Sequence, residues 1–352
     1  AVIDIFNDQQ VEEYRRTHRL DPARIRSFRN RLLKRFLSDE KAIGDLPDGD
    51  QLQLHSLALH SNFDSEIDGA TKLLFRNEAG LLLETVILRI ASGRTTLCVS
   101  SQVGCAAACD FCATGKMGIA RSLTVAEILD QVVQAGQLLQ VEGRSLRNIV
   151  FMGMGEPFHN EDNLHQVLGA LISAKGFARS PGSLLVSTVG IPDAMVRLAD
   201  TFPDVNLALS LHSAKQDVRE SIIPLAKRFD LEALKSAVRR VNEVHRRQVM
   251  VEYLMLKDVN DSESDVQALL SWVNGLCVHV NLIPFNKVES AAHLEPTDRQ
   301  SVTAFADRLK QVDIKTTIRY SLGNDIAAAC GQLVQMENRK RAMEDSHVVE
   351  LK

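Results

Sequence analysis

From Thr96 to Arg319 the chain alternates short β-rich runs with helical stretches, and this alternation limits the possible folds more than any other feature. The runs are Thr96–Ser100, Asn148–Met152, Leu184–Thr188, Asn206–Leu211, Val249–Leu254, His279–Ile283 and Lys315–Arg319. Helices are predicted over about 124–142, 161–175, 192–202, 230–246, 262–275 and 297–312. Strands separated by whole helices do not pair as hairpins; they pair in parallel, with the helices packed outside. Right-handed crossovers of this kind close into a full or partial barrel. The predicted class is α/β, with a partial (β/α)6-type TIM barrel. Ligands in such folds bind at the C-terminal ends of the strands, so chemistry is expected just after each run.

Ahead of the barrel, residues 1–66 read as a small helical unit. Val11 to Leu20 and Pro22 to Leu37 form two predicted helices, with Asp21 as N-cap and Pro22 at the first helical position. Thr71–Arg76 and Leu81–Leu88 alternate apolar and polar residues around Asn77-Glu78-Ala79-Gly80, which predicts a β-hairpin within 67–95. The barrel is expected over 96–333. A helical tail over 334–352 follows and turns basic at Arg339-Lys340-Arg341.

With 352 residues, 45% of them hydrophobic, the chain can bury a large core. A net charge of −4 gives no global attraction to nucleic acid, so any such site must be a local patch. One candidate exists: Tyr14 to Phe36 holds nine Lys or Arg against a single acid, Asp21. That segment fits a phosphate-neutralising surface and an ordinary solvated basic face equally well. No apolar run approaches the ~20 residues that span a bilayer. The opening AVIDIFNDQQ lacks the basic start and apolar stretch of a signal peptide. A soluble, cytoplasmic, monomeric protein is expected.

Three of the six cysteines fall within eight residues, as Cys105-x3-Cys109-x2-Cys112, just after the first barrel strand. Thiolates ligate iron–sulfur clusters, and close spacing lets one loop wrap one cluster. Three cysteines leave one iron of a [4Fe-4S] cubane without a protein ligand, and an open metal position is where chemistry occurs. S-adenosylmethionine can chelate that iron through its amino and carboxylate groups. An electron from the cluster then splits a carbon–sulfur bond and yields a 5′-deoxyadenosyl radical. Phe111, between the last two ligands, would pack against the cofactor. Structural zinc and an electron-carrying ferredoxin cluster would each need a fourth ligand, and none lies nearby in the sequence.

Polar residues follow the other runs. Gly153-Met154-Gly155-Glu156-Pro157 comes after the second, where glycines would let a ligand approach the backbone and a carboxylate would hold its ammonium group. Ser187 ends the third run, Ser210-Leu211-His212 the fourth, and Asn286 follows the sixth. Cys98 and Cys330 stand apart from the triplet, and Cys277 reads as a small buried hydrophobe.

Taken in order, these motifs resemble the RlmN/Cfr family of radical S-adenosylmethionine methyl synthases, from about Asp68 to Leu333. The resemblance is carried by Leu97-Cys98-Val99-Ser100-Ser101-Gln102-Val103-Gly104-Cys105, Cys112-Ala113-Thr114-Gly115-Lys116, Gly153-Met154-Gly155-Glu156-Pro157, Ser210-Leu211-His212-Ser213 and Ala329-Cys330-Gly331-Gln332-Leu333. It implies a radical-SAM barrel that methylates an aromatic carbon of an adenosine in large-subunit rRNA, and in some members a tRNA adenosine beside the anticodon. C2 and C8 of adenine are electron-poor and do not attack a methyl sulfonium, which explains the need for a radical. One S-adenosylmethionine would methylate Cys330. A second would supply the radical that takes hydrogen from that S-methyl group, and the methylene radical would add to the base. Glu84 would accept a proton, and Cys98 would attack Cys330, forming a transient disulfide and freeing the product. Gly155, Glu156, Ser187, Ser210, Leu211, His212 and Asn286 would contact S-adenosylmethionine. Flavodoxin or ferredoxin would donate electrons, and the target base would be extruded from its stack.

Some positions depart from the family pattern. Asp325-Ile326 is followed by Ala327, where the family carries a second acid; Leu322 stands where C2-specific members often carry Arg; and Lys287 stands where Pro usually follows Asn286. C2 methylation is the leading expectation. C8 methylation, which confers resistance to ribosome-directed antibiotics, is the alternative. A paralogue that binds RNA without methylating it is a third reading, and the presence of both Cys98 and Cys330 argues against it.

Overall fold

A computed structural model describes residues 2–244, 248–333, 338 and 349–350. Its centre is a ten-stranded sheet whose strands stand side by side in chain order. They are β1 (Leu57–Asp64), β2 (Ala70–Asn77), β3 (Leu82–Arg89), β4 (Thr95–Cys98), β5 (Asn148–Phe151), β6 (Leu184–Thr188), β7 (Asn206–Ser210), β8 (Val249–Met255), β9 (Val278–Pro284) and β10 (Thr316–Ile318). β1 to β4 pair antiparallel. β4 to β10 pair in parallel. Because every crossover steps one strand in the same direction, the sheet curls into a partial barrel instead of winding both ways.

The helices α1 (Asp8–Thr17) and α2 (Pro22–Arg29) precede the sheet. Around it lie α3 (Val125–Val141), α4 (Glu161–Ile172), α5 (Pro192–Thr201), α6 (Leu231–Val244), α7 (Glu263–Val273) and α8 (Arg299–Lys310). Two of them start with reciprocal capping boxes, Thr124 with Glu127 and Ser262 with Asp265. Side chains alternate along each strand. Leu97, Ile149, Val186, Leu207, Val251 and Tyr253 are buried under the helices. Cys98, Met152, Ser187, Ser210, Glu252 and Arg319 line cavities on the inner face.

The N-terminal 66 residues are less helical than the sequence suggests. Ile3–Asp4 pairs in parallel with Leu52–Gln53, and β1 adds a third strand to the expected hairpin. β1 is an edge strand with Leu59 and Phe63 exposed, so it shows no apolar–polar alternation to read. α1 begins earlier than expected because the Asn7 side chain accepts from the Gln9 and Gln10 amides. It stops before Arg19, whose φ of 51° is left-handed. Pro22 and Asp21 act as expected, and α2 passes into a π-turn at Asn30–Lys34. Cys277 is exposed and so is not a buried hydrophobe: it precedes β9 at the end of the barrel remote from the motifs, where its N–H donates to Asn242 Oδ1 at 2.9 Å. Of the basic tail, Arg339-Lys340-Arg341 lies outside the described residues, while Val349–Glu350 is not helical and pairs antiparallel with Ile119 and Ala120.

The N-terminal unit docks on α3. Phe36 fills the space left by Gly136. His55 donates to Asp130 of α3 at 2.7 Å and to Asp39 at 3.0 Å, while Asp130 also accepts the Ser56 and Leu57 amides. Much of the positive charge counted in Tyr14–Phe36 is matched by acids outside that window. Arg15 and Arg16 pair with Glu12, Arg24 with Asp45 and Arg29 with Asp8. Arg31 donates to the Ala42 carbonyl. Arg19, Arg26 and Arg35 remain exposed at the surface. No described helix is long and apolar enough to cross a membrane.

Candidate active site

The strand exits enclose a cavity of about 140 Å³ lined by Cys105, Cys109 and Cys112 together with Phe111, Gly153, Gly155, Glu156, Ser187, Ser210 and His212. Five of the seven residues expected at S-adenosylmethionine therefore face one space with the cysteine triplet. Leu211 and Asn286 do not line it. Leu211 is buried in the core, offering its carbonyl to Arg219. Asn286 donates to Ser321 Oγ at 3.1 Å and to the Cys330 carbonyl at 3.3 Å. Lys287, the departure beside it, pairs with Glu295 at the surface.

The cysteine loop is shaped by close backbone contacts. A Cβ on Gly115 would lie 2.9 Å from the Cys109 amide nitrogen. Burial pushes the thiols of Cys105, Cys109 and Cys112 above the ordinary thiol range, with neighbouring charge adding to the effect. Iron bound there would have to displace their protons. Among the described residues no three His, Cys, Asp or Glu groups gather tightly enough to cage a single ion. Three thiols around one cavity, with no fourth cysteine on it from the same loop, instead fit the corners of a cubane that keeps one iron open. Phe111 meets His212 edge-on at 4.9 Å.

Two sequence readings change here. Gly153 and Gly155 line the cavity, but their missing Cβ atoms make room for protein. A Cβ on Gly153 would lie 2.6 Å from Ser100 Oγ, and one on Gly155, at φ 106°, 2.6 Å from Gln102 Cβ. Glu156 is largely engaged within the protein: its carboxylate accepts from Thr188 Oγ1 at 2.8 Å, Val189 N at 2.9 Å and Phe158 N at 3.0 Å. Burial pushes its pKa up to about 7 against those hydrogen bonds. Up to one further acceptor position is left for a ligand. His212 Nδ1 accepts from the Leu254 amide at 2.9 Å, so the ring is neutral with its proton on Nε2, and burial holds its pKa near 3.

A larger cavity of about 530 Å³ lies beside the first, inside the barrel and under the loop that follows β10. Cys98 lines this second space, while Cys112, Met152, Gly153, Arg319, Cys330 and Gly331 line both. Arg319 had no sequence signal beyond its strand, yet it is the hub of this partition. It donates to Cys330 Sγ at 3.4 Å and pairs with Glu252 at 3.3 Å. Glu252, also missed, is 2% exposed, and its Oε1 accepts no hydrogen bond. All six cysteines are free thiols in the structure. Burial pushes Cys98 up to about 12.

Glu84 lines neither cavity. It is buried on β3, two residues from Val86, which does line the larger one, and pairs with Lys72 at 3.0 Å. Lys72 Nζ reaches the Ala327 carbonyl at 3.5 Å, which places Glu84 next to the Cys330 loop through that cation. The same loop is tied to the β1–β2 turn. Asp325 accepts from Ser65 Oγ at 2.8 Å and the Glu66 amide at 2.9 Å, and Asp68 accepts from the Gly323 amide at 2.8 Å.

Comparison with known proteins agrees with this geometry. The model of the Radical SAM superfamily matches residues 99–270. A probable RNA methyltransferase of Rhodopirellula baltica is 57% identical over 99% of this chain and 94% of its own length. The probable dual-specificity RNA methyltransferase RlmN of Thermus thermophilus is 42% identical over 80% of this chain and 78% of its own. A crystal structure of a radical SAM methyltransferase from Sphaerobacter thermophilus superposes with a TM-score of 0.88 at 36% identity, covering 94% of this chain and 99% of that one. With its cysteine triplet, its partial barrel and full-length relatives of this kind, the chain belongs to the RlmN family of radical SAM RNA methyltransferases.

Proposed function

We propose that the protein methylates C2 of an adenosine in large-subunit rRNA, with a tRNA adenosine beside the anticodon as a second substrate, through an S-methyl group on Cys330. The observation that carries this reading is the placing of Cys330 in the wall between two cavities, one lined by the whole cysteine triplet and the other by Cys98 together with Cys112. A carbon carried on Cys330 can face a radical source on one side and a base on the other. When bound, the cluster supplies the electron that cleaves S-adenosylmethionine to a 5′-deoxyadenosyl radical. Gly155, Glu156, Ser187, Ser210 and His212 hold that cosubstrate, with two molecules used per turnover, while Leu211 and Asn286 support the site from behind. Cys330 takes the first methyl group: its sulfur forms the new bond as the sulfonium carbon–sulfur bond breaks, and the departing sulfur keeps the electron pair.

In the second half of the cycle the base occupies the larger cavity, whose volume of about 530 Å³ accommodates a flipped nucleobase. The S-methyl carbon gives a hydrogen atom to the 5′-deoxyadenosyl radical and bonds to the base. Glu84, beside the Cys330 loop, then removes the proton at the substituted carbon, and the surplus electron would return to the cluster. Cys98 attacks the Cys330 sulfur, the carbon–sulfur bond breaks, and the carbon leaves with the electron pair and takes a proton to complete the methyl group. The resulting disulfide is transient and is reduced before the next turnover. The exposed arginines of the N-terminal unit contact phosphate. The names of the relatives in Thermus thermophilus and Myxococcus xanthus, both RlmN, favour the C2 position. The test is mass spectrometry of nucleosides from unmodified rRNA and tRNA after anaerobic turnover. 2-Methyladenosine is expected; 8-methyladenosine would assign the protein to the Cfr-type chemistry, and cleaved cofactor without any methylated adenosine would overturn the reading.

A further inference from the structure

We propose that Arg219 is a buried counter-charge to the iron–sulfur cluster, favouring its reduced form and so raising its reduction potential. The inference rests on the cluster that the family binds and not on the RNA target. Arg219 lies on the short helix Gln216–Ile222 and is 1% exposed. Among the described residues only carbonyls hold its guanidinium: Nε donates to Leu211 O at 3.0 Å, and Nη2 donates to Val189 O and, at 3.4 Å, to Ser210 O. Among the described residues it forms no ion pair with a carboxylate. A dry guanidinium without an anion is costly, so the fold is expected to place negative charge within its reach.

The cysteine loop is what lies there. Cys109 packs in one apolar cluster with Ile222 and Ile223, at the end of the Arg219 helix. The Asp110 amide donates to the Ile222 carbonyl at 2.9 Å, which docks the loop on that helix. Val189 and Ser210, whose carbonyls accept from Arg219, line the cavity that the cysteine triplet lines. His212 is neutral, and Glu156, which accepts from the Val189 amide, forms no ion pair with Arg219 among the described residues. A cubane held by three thiolates is negative, and one-electron reduction makes it more so. A fixed cation in a low-dielectric wall stabilises the reduced form more than the oxidised one, and such local charge is among the factors that set cluster potentials. In this step one electron passes from an external one-electron donor to the cluster, and no bond or proton on Arg219 changes.

The test uses the anaerobically reconstituted full chain without RNA or S-adenosylmethionine. The reduced-cluster electron paramagnetic resonance signal is followed through a mediated redox titration. Arg219→Gln is expected to lower the equilibrium constant for reduction about tenfold, a shift of about 59 mV to more negative potential for one electron. Arg219→Lys is expected to stay within about threefold of the unaltered chain near pH 7. A glutamine variant with full iron content and an unchanged midpoint would overturn the proposal, as would a lysine variant displaced as far as the glutamine one. If the glutamine variant fails to fold or to load iron, the lysine variant carries the test alone. A buried ammonium loses its proton as pH rises, so its midpoint should become more negative from about pH 7 to about pH 9 while that of the unaltered chain does not follow. A lysine variant that tracks the unaltered chain across that range overturns the proposal.

Discussion

At the residue scale, the two lone cysteines carry opposite expectations. Cys330→Ala should retain the cluster and cofactor cleavage but lose all methylated adenosine. The S-methyl group, read as a mass increment on the peptide that contains residue 330, should be absent too. Full methyl transfer by this variant would remove the proposed mechanism. Cys98→Ala should instead accumulate a covalent protein–RNA adduct, visible as a shifted band on a denaturing gel, because nothing releases the Cys330 thioether. Turnover without an adduct would reduce Cys98 to a lining residue. Arg319 donates to Cys330 Sγ, and Glu252 pairs with that guanidinium at 3.3 Å.

At the element scale, the N-terminal unit and α3 are joined by one charged clamp and one close packing contact. His55 stands between Asp130 and Asp39. Burial opposes its charge, but the two carboxylates prevail and lift its pKa to about 9. Its folded value is raised above the unfolded value of about 6.5, so its stabilisation is complete below pH 6.5 and is lost as pH rises through 9. The melting temperature should fall between those limits, and His55→Gln should flatten that part of the profile; an equally steep fall in the variant would assign the pH dependence elsewhere. Gly136 faces the Phe36 ring, and an added Cβ would overlap it. Gly136→Ala should therefore cost about 1–3 kcal/mol in urea unfolding in spite of alanine's better helix propensity. A stabilised variant would mean that the two elements separate readily.

At the scale of the whole molecule, the loop bearing Cys330 is held by residues from the opposite end of the chain. Asp325 takes two hydrogen bonds from Ser65 and Glu66, and Asp68 takes one from Gly323. Asp325→Ala should speed amide exchange over 322–330 while lowering global stability by less than about 2 kcal/mol, since Asp325 is exposed. Unchanged exchange would show that packing of Ala328 and Ala329 suffices to hold the loop. This latch also bears on the family departure at Ala327. With φ 50°, Ala327 occupies a left-handed position directly after the anchored turn, and it presents its carbonyl to Lys72.

How much of this was legible beforehand depended on distance along the chain. The cysteine triplet could be read because its three ligands lie within one loop, and the barrel because strand and helix periodicities are local. The Asp21-Pro22 helix start could be read for the same reason. β1 could not, because an edge strand with little burial leaves no periodic trace. Gly153 and Gly155 were recognised as special, yet what they accommodate, Ser100 and Gln102, comes from a neighbouring strand exit. Arg319, Glu252 and Arg219 gave no signal, since a charged residue in a strand or short helix looks alike whether it faces water or a buried thiol. The sequence by itself determined the family, the cysteine triplet and the strand–helix alternation of the barrel, because these rest on motifs, short-range spacing and hydrophobic period. Tertiary structure alone decided which sulfurs stand between the two cavities, which carboxylates are already engaged and which cations lie beside the cysteines. Those depend on how a curled sheet brings together side chains hundreds of residues apart and removes the water between them.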